Sequence, residues 1–284
     1  MTYLFKPIYK TDIFNSESIC NNLSKKSFRG GTFTVISHWI TFLISTAGTV
    51  VLARILSPDD YGLVGMAFVI TGFANMFIDA GLSTSTIQAK KIWNEQVNSL
   101  FWSNVVIGLL LSIVVLLSSP FVAMFYKRDE LIPVIAILSI TFLINGCGIQ
   151  HRALLRRHLL FGHLAIVSIV SQVMNVSVTI AMALMGSRYW AIVGGTIAAA
   201  LVTNITLFYY CRWLPCKFYR NTGLKKSLKF GRNISFANLF VFIRGNIGPI
   251  IIGKVMGAAS LGIYQKAYRL FILPISEIRA PIIN

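Results

Sequence analysis

The stretch SLFWSNVVIGLLLSIVVLLSS, from Ser99 to Ser119, runs without a single charged residue. As a helix rising about 1.5 Å per residue it would be about 30 Å long, the thickness of a bilayer's hydrocarbon core. Its apolar residues follow one another continuously, whereas a strand of a membrane barrel alternates over about ten residues. Inside lipid a lone segment can satisfy its backbone polar groups only as a helix. One transmembrane helix is therefore predicted here, and the question becomes how many others flank it.

Similar runs lie near 34–55, 63–82 and 131–149, and then near 163–185, 189–211, 234–253 and 262–283. The chain of 284 residues is 55% hydrophobic and only 12% charged, with a mean hydropathy of +0.70. Too few polar side chains remain to cover a water-exposed surface. The expected fold is thus all-α, a polytopic transmembrane bundle of about eight spans. The net charge of +17 would suggest nucleic acid in a soluble protein. Here the basic residues sit in short clusters between apolar runs, not in one stripe, so no nucleic-acid partner is expected.

Those clusters set an orientation, because Lys and Arg are retained on the cytoplasmic side. The polar tail, residues 1–29, carries Lys6, Lys10, Lys25, Lys26 and Arg29 and lacks the apolar core of a signal peptide. Lys90 and Lys91, then Arg152, Arg156 and Arg157, then seven basic residues from Arg212 to Arg232 fall on the same side as the tail. The opposite loops hold Arg54, Lys127, Arg128, Arg188 and Lys254. The predicted topology places the N-terminus in the cytoplasm.

An offset of 200 residues reveals an internal repeat. It brings Gly31 onto Gly231, Phe42 onto Phe242, Gly48 onto Gly248, Gly62 onto Gly262, Ala67 onto Ala267, Ile78 onto Ile278 and Ala80 onto Ala280. Val51-Leu52-Ala53-Arg54-Ile55-Leu56 falls over Ile251-Ile252-Gly253-Lys254-Val255-Met256, with apolar, small and basic types in register. Six helices separate the copies, so both enter the membrane in one direction and are related about its normal, an arrangement used for alternating access. The expected organisation is a polar cytoplasmic tail (1–29), a six-helix lobe (30–213), a basic cytoplasmic linker (214–233) and the first two helices of a second lobe (234–284). On that pattern the second lobe is truncated, so an inactive fragment is one possible reading of the chain.

Residues Leu52 to Ala67, LARILSPDDYGLVGMA, resemble the first hairpin of polysaccharide transporters of the colanic-acid and lipopolysaccharide repeat-unit flippase type. These belong to the multidrug, oligosaccharidyl-lipid and polysaccharide exporter superfamily. Asp79-Ala80-Gly81-Leu82 with Gln88, Arg152-Ala153-Leu154-Leu155, Leu228-Lys229-Phe230-Gly231 and Leu261 to Leu270, LGIYQKAYRL, follow in the family's order. The resemblance runs from about Phe28 to the end. It implies two lobes of helices in the bacterial inner membrane that carry an undecaprenyl-pyrophosphate-linked oligosaccharide from the cytoplasmic to the outer leaflet. It further implies a role in exopolysaccharide or lipopolysaccharide biosynthesis, with the polysaccharide polymerase and export machinery as further partners. One departure is present: relatives often carry an Asp ahead of the Ile-Gly pair of the seventh helix, where this chain has Gly248 before Ile252-Gly253, with Asn246 retained.

Charges within apolar runs mark candidate site residues, since each costs about 2.5–3.5 kcal/mol at a helix centre. Arg244, Asp79, Lys266 and Arg269 are the candidates for a cavity between lobes, where cations would attract a pyrophosphate and sugar hydroxyls. Snorkelling to the headgroups is the competing account for Lys266 and Arg269, and a helix-bridging ion pair for Asp79. Arg152, Arg156 and Arg157 form a basic cytoplasmic turn that could meet a lipid or pyrophosphate headgroup, although the positive-inside bias alone would also place them there.

No cofactor or metal is expected. There is no phosphate-binding G-x-x-x-x-G-K-[ST] loop, and Cys20, Cys147, Cys211 and Cys216 form no C-x-x-C pair. Asp59-Asp60 and Asp129-Glu130 are turn pairs suited to capping helices rather than to catalysis. The chain is therefore read as a transporter and not an enzyme. A membrane glycosyltransferase or polymerase, and a cation-coupled drug exporter of the same superfamily, are the alternatives.

Overall fold

The computed structural model describes residues 23–79, 81–88, 92–217, 240, 242–268 and 271. Lys90, Lys91, Arg269, most of the basic linker, most of the polar tail and most of the run near 262–283 lie outside the described residues.

Among the described residues all regular structure is helical. In chain order it comprises α1 (Leu23–Ile55), α2 (Pro58–Asn75), the short α3 (Leu82–Gln88) and α4 (Asn94–Tyr126). Then come α5 (Leu131–Arg157), α6 (Phe161–Leu184), α7 (Trp190–Cys211) and α8 (Phe242–Tyr268). Six of these are long and apolar enough to cross a membrane: α4, α5, α6, α7, α8 and the Gly30–Ile55 part of α1. The protein is a multi-pass membrane protein with an all-α transmembrane bundle. The helix α1 begins at Leu23, within the segment expected as tail.

Lipid explains what the helices leave uncovered. On α4 the residues Leu110, Val114, Leu117, Phe121 and Met124 recur at three- and four-residue intervals, and the last three are 65%, 72% and 75% exposed. A water-facing helix carries polar residues on such a stripe. The buried faces meet instead in a core of Leu63, Met66, Val134, Ile135, Leu138 and Phe142.

Small residues let the helices approach, as expected where lipid provides no hydrophobic drive for their association. In the α4–α5 hairpin, a methyl added at Gly108 would lie 2.6 Å from the Phe142 carbonyl oxygen, and one at Gly146 would lie 2.8 Å from that of Asn104. A methyl on Gly48 of α1 would stand 2.7 Å from Val176 of α6.

The turn between α1 and α2 is built by a capping box. The Ser57 hydroxyl accepts from the Asp60 N–H (3.2 Å), the Asp60 carboxylate accepts from the Ser57 N–H (3.1 Å), and Pro58 opens the helix. Arg188, from the α6–α7 turn, approaches Asp60 at 3.3 Å, while Arg128, from the α4–α5 turn, pairs with Asp59. The acidic pair thus ties three turns together at one end of the bundle, in the capping role expected for it.

At Gly257 the backbone of α8 takes φ +83°, in the left-handed region. Here the chain folds back. A methyl on Gly248 would stand 3.6 Å from the Tyr264 hydroxyl, and one on Gly253 would stand 3.2 Å from Leu261. In a straight helix, residues sixteen apart are about 24 Å apart. The stretch α8 therefore folds back on itself at Gly257, between the two runs read in the sequence, and among the described residues six helices, not the eight spans expected, are long and apolar enough to cross a membrane.

Candidate functional site

Three cavities adjoin one another along one face of the bundle. The first, about 370 Å³, lies at the end where α2 stops and α5 and α7 finish, and is lined by Asn75, Asp79, Ser83, Asn145, Arg152, Arg156 and Asn204. It shares Asn75, Asn145 and Thr203 with the second, about 250 Å³, which adds Thr71, Thr141, Ser171 and Thr196. That one shares Phe68 and Thr196 with the third, about 510 Å³, which reaches Gln172, Asn175, Thr179, Gln265, Lys266 and Tyr61.

The seam follows from helical spacing. Phe68, Thr71 and Asn75 lie three or four residues apart, so they share one face of α2, and Asp79 follows just past that helix's end. At spacings of three, four or seven residues, Thr141, Asn145, Arg152 and Arg156 share a face of α5, Gln172, Asn175 and Thr179 one of α6, and Thr196, Thr203 and Leu207 one of α7. Apart from Phe68 and Leu207, these are polar side chains in helices whose other faces are apolar, and they are turned together. Asn204 is 8% exposed, and its Oδ1 accepts no hydrogen bond from the described residues. Ser171 accepts from Thr203 (2.7 Å) and donates to the Ala199 carbonyl (3.2 Å), so part of the lining is already internally bonded.

Asp79 lines the first cavity and also holds the start of α3, since its carboxylate accepts from the Ser83 N–H at 2.9 Å and from the Ser83 hydroxyl. Arg152 and Arg156 line the same cavity, so the structure brings these three residues together. Arg157 turns elsewhere, donating to the Thr86 (2.9 Å) and Ile87 (3.4 Å) carbonyls at the end of α3. Lys266 lines the third cavity with its ammonium 3.7 Å from the centre of the Tyr61 ring. Arg244 is exposed on α8 and lines none of the three cavities. Asn246 donates back to Phe242 at 3.0 Å, within its own helix.

The sequence reading, guided by charge alone, passed over the neutral members: Thr71, Asn75, Thr141, Asn145, Asn175 and Thr196. Their signal is present as amide and hydroxyl residues recurring at helical spacing inside apolar runs. A second feature it missed is the anchoring of the segment after α7. Trp213 is fully buried, donates to the Asn94 side chain (3.1 Å) and packs against Phe101, and its carbonyl lies 3.1 Å from His151 Nε2. Cys216 N–H donates to Asn98 at 2.9 Å.

A family model described as polysaccharide biosynthesis protein matches residues 51–284. The chain belongs to that family. It is 31% identical over 269 residues to the teichuronic acid biosynthesis protein TuaB of Bacillus subtilis, covering 93% of this chain and 55% of that protein. It is 24% identical to the lipopolysaccharide biosynthesis protein WzxC of Escherichia coli, covering 89% and 52%. To the succinoglycan biosynthesis transport protein ExoT of Rhizobium meliloti it is likewise 24% identical, covering 93% and 52%. The chain thus spans about half the length of these relatives. Among solved structures it resembles the MATE multidrug transporter DinF-BH, with a TM-score of 0.63 and 14% identity, over 91% of this chain and 63% of that one. A second MATE crystal structure gives 0.59 at 15% identity over 90% and 63%. These likenesses establish that the family member shares the MATE fold, and the resemblance noted from the hairpin residues holds.

Proposed function

We propose that this protein moves an undecaprenyl-pyrophosphate-linked oligosaccharide from the cytoplasmic to the outer leaflet of the bacterial inner membrane for surface polysaccharide synthesis. The observation that carries the reading is the polar seam across an otherwise apolar bundle, with two guanidinium groups at one end of it. Arg152 and Arg156 suit a pyrophosphate, which a planar guanidinium binds through paired charge-assisted hydrogen bonds. The Thr, Asn and Gln side chains beyond them suit sugar hydroxyls, which need neutral donors and acceptors.

On this reading the N-terminus is cytoplasmic, residues 30–213 form one lobe, 214–233 a linker and 234–284 the start of a second, and the lobes alternate access to the seam. Lys266 and Arg269 would then belong to the second lobe's share of the cavity, whereas Arg244, which lines none of the three cavities, has no part in this seam. Arg157 would act by holding α3 against α5, and the polymerase and export machinery would receive the substrate outside. The names of the curated relatives, given for teichuronic acid, lipopolysaccharide and succinoglycan biosynthesis, support a polysaccharide substrate over a drug, and that of ExoT, a biosynthesis transport protein, supports a transport role over catalysis.

The test is complementation of a bacterial strain that lacks its repeat-unit flippase, with membrane abundance measured alongside. The protein is expected to restore surface polysaccharide. The Arg152→Gln, Arg156→Gln double variant should restore it at about one tenth or less at equal abundance, given about 1.5–3 kcal/mol for hydrogen bonds to a charged group. Equal export by the variant would remove the guanidinium groups from the path.

A further inference from the structure

The two copies of the repeat touch each other at equivalent positions. A methyl carbon added at Gly62 of α2 would overlap the carbonyl oxygen of Ala258 and lie 2.8 Å from its Cα. One added at Gly262 would overlap the carbonyl oxygen of Pro58 and lie 3.0 Å from the Gly62 nitrogen. Shifting by 200 residues turns the first contact into the second. The arms beginning at Pro58 and Ala258 therefore cross about a pseudo-twofold axis, backbone against backbone, with glycine on each side.

Neighbouring contacts span the same two parts of the chain. Lys254 donates to the Phe125 carbonyl at the end of α4 and lies over the Phe125 ring at 4.5 Å. One turn further in, a methyl on Gly65 would lie 2.6 Å from the Gln265 amide nitrogen, and beside it Lys266 covers Tyr61. Gln265, Lys266 and Tyr61 all line the third cavity, so the crossing sits directly at that cavity's end. It is the end that carries the Ser57, Arg128 and Arg188 turns.

We infer that the Gly62–Gly262 crossing is the outer gate of the transport path, closed in this structure, and that glycine is needed at both positions because closure brings the two backbones into contact. The inference rests on the alternating-access reading above. A closed gate formed by side chains would tolerate a neighbouring change by a rotamer shift; one formed by two backbones has nothing that can move aside except the helices themselves. Any side chain at either glycine must hold the arms apart and expose the third cavity from the outer face.

The experiment labels Gln265→Cys in intact cells with a membrane-impermeant maleimide, with Asp129→Cys in the exposed α4–α5 turn as the outward-facing control. In the Gly62, Gly262 background the Cys at 265 should label slowly. With Gly62→Leu, and separately with Gly262→Leu, it should label about tenfold faster or more, the change that about 1.4 kcal/mol of bias between closed and open states produces. Equal rates in all three backgrounds would overturn the gate. Should the leucine variants fail to accumulate, spin labels at the paired positions Ile55→Cys and Val255→Cys report the same closure. A short-distance population depleted by Gly62→Ala supports the gate, and a distance indifferent to that change overturns it. Neither readout needs a substrate. Failure of export with labelling as expected would count against the substrate assignment and leave the gate standing.

Discussion

Arg152, Arg156 and Arg157 show how little a residue's type says about its task. All three carry the same charge within six positions, yet two line the first cavity and one is spent on the carbonyls of Thr86 and Ile87. Arg157→Ala should therefore lower membrane abundance and thermal stability by leaving those carbonyls without their donor, at about 1–3 kcal/mol. A detergent-solubilised thermal shift and a membrane blot check this, and an unchanged melting temperature would reassign Arg157. Trp213→Ala should be more costly, at about 3–5 kcal/mol, because it empties a fully buried ring and strands the Asn94 side chain. The charged candidates were legible in the sequence because charge inside an apolar run is conspicuous. Thr71, Asn75, Thr141 and Asn145 were not, since hydroxyl and amide residues also serve as ordinary packing in membrane helices and only the assembled bundle shows them facing one another.

At the scale of elements, the apolar runs and the Ser57-Pro58-Asp59-Asp60 turn were plain in the chain because span length and capping chemistry are local properties. The capping box predicts that Ser57→Ala weakens the start of α2 by about 1 kcal/mol. Asp60→Ala should cost more, because it also releases Arg188, and paired melting curves would show the order. Helix pairing was less legible. The α4–α5 hairpin depends on Gly108 and Gly146 meeting Phe142 and Asn104, contacts that no spacing rule specifies. Gly146→Leu should part these helices and reduce folded protein severalfold, whereas leucine at the lipid-facing Val114 should be neutral. Equal abundance of the two variants would show that the pairing does not depend on close approach. The fold-back within α8 was anticipated by two separate runs, yet its cause, the left-handed Gly257, shows only in the backbone.

For the whole molecule, the repeat read from an offset of 200 residues reappears as a reciprocal contact of Gly62 with Ala258 and of Gly262 with Pro58. Repetition in the sequence thus became symmetry in space, which periodicity alone could suggest but not locate. On the proposed function the seam would give that symmetry a task, as a polar route bounded by the glycine crossing at one end and by Arg152 and Arg156 at the other. The most direct test of that account is translocation in proteoliposomes. Vesicles containing the purified protein are loaded on one leaflet with an undecaprenyl-pyrophosphate-linked oligosaccharide, and its appearance on the other is followed with an impermeant glycosidase. The account predicts transfer faster than in protein-free vesicles, lost on Arg152→Gln, Arg156→Gln substitution. Transfer no faster than in protein-free vesicles, or transfer indifferent to the two arginines, would contradict it.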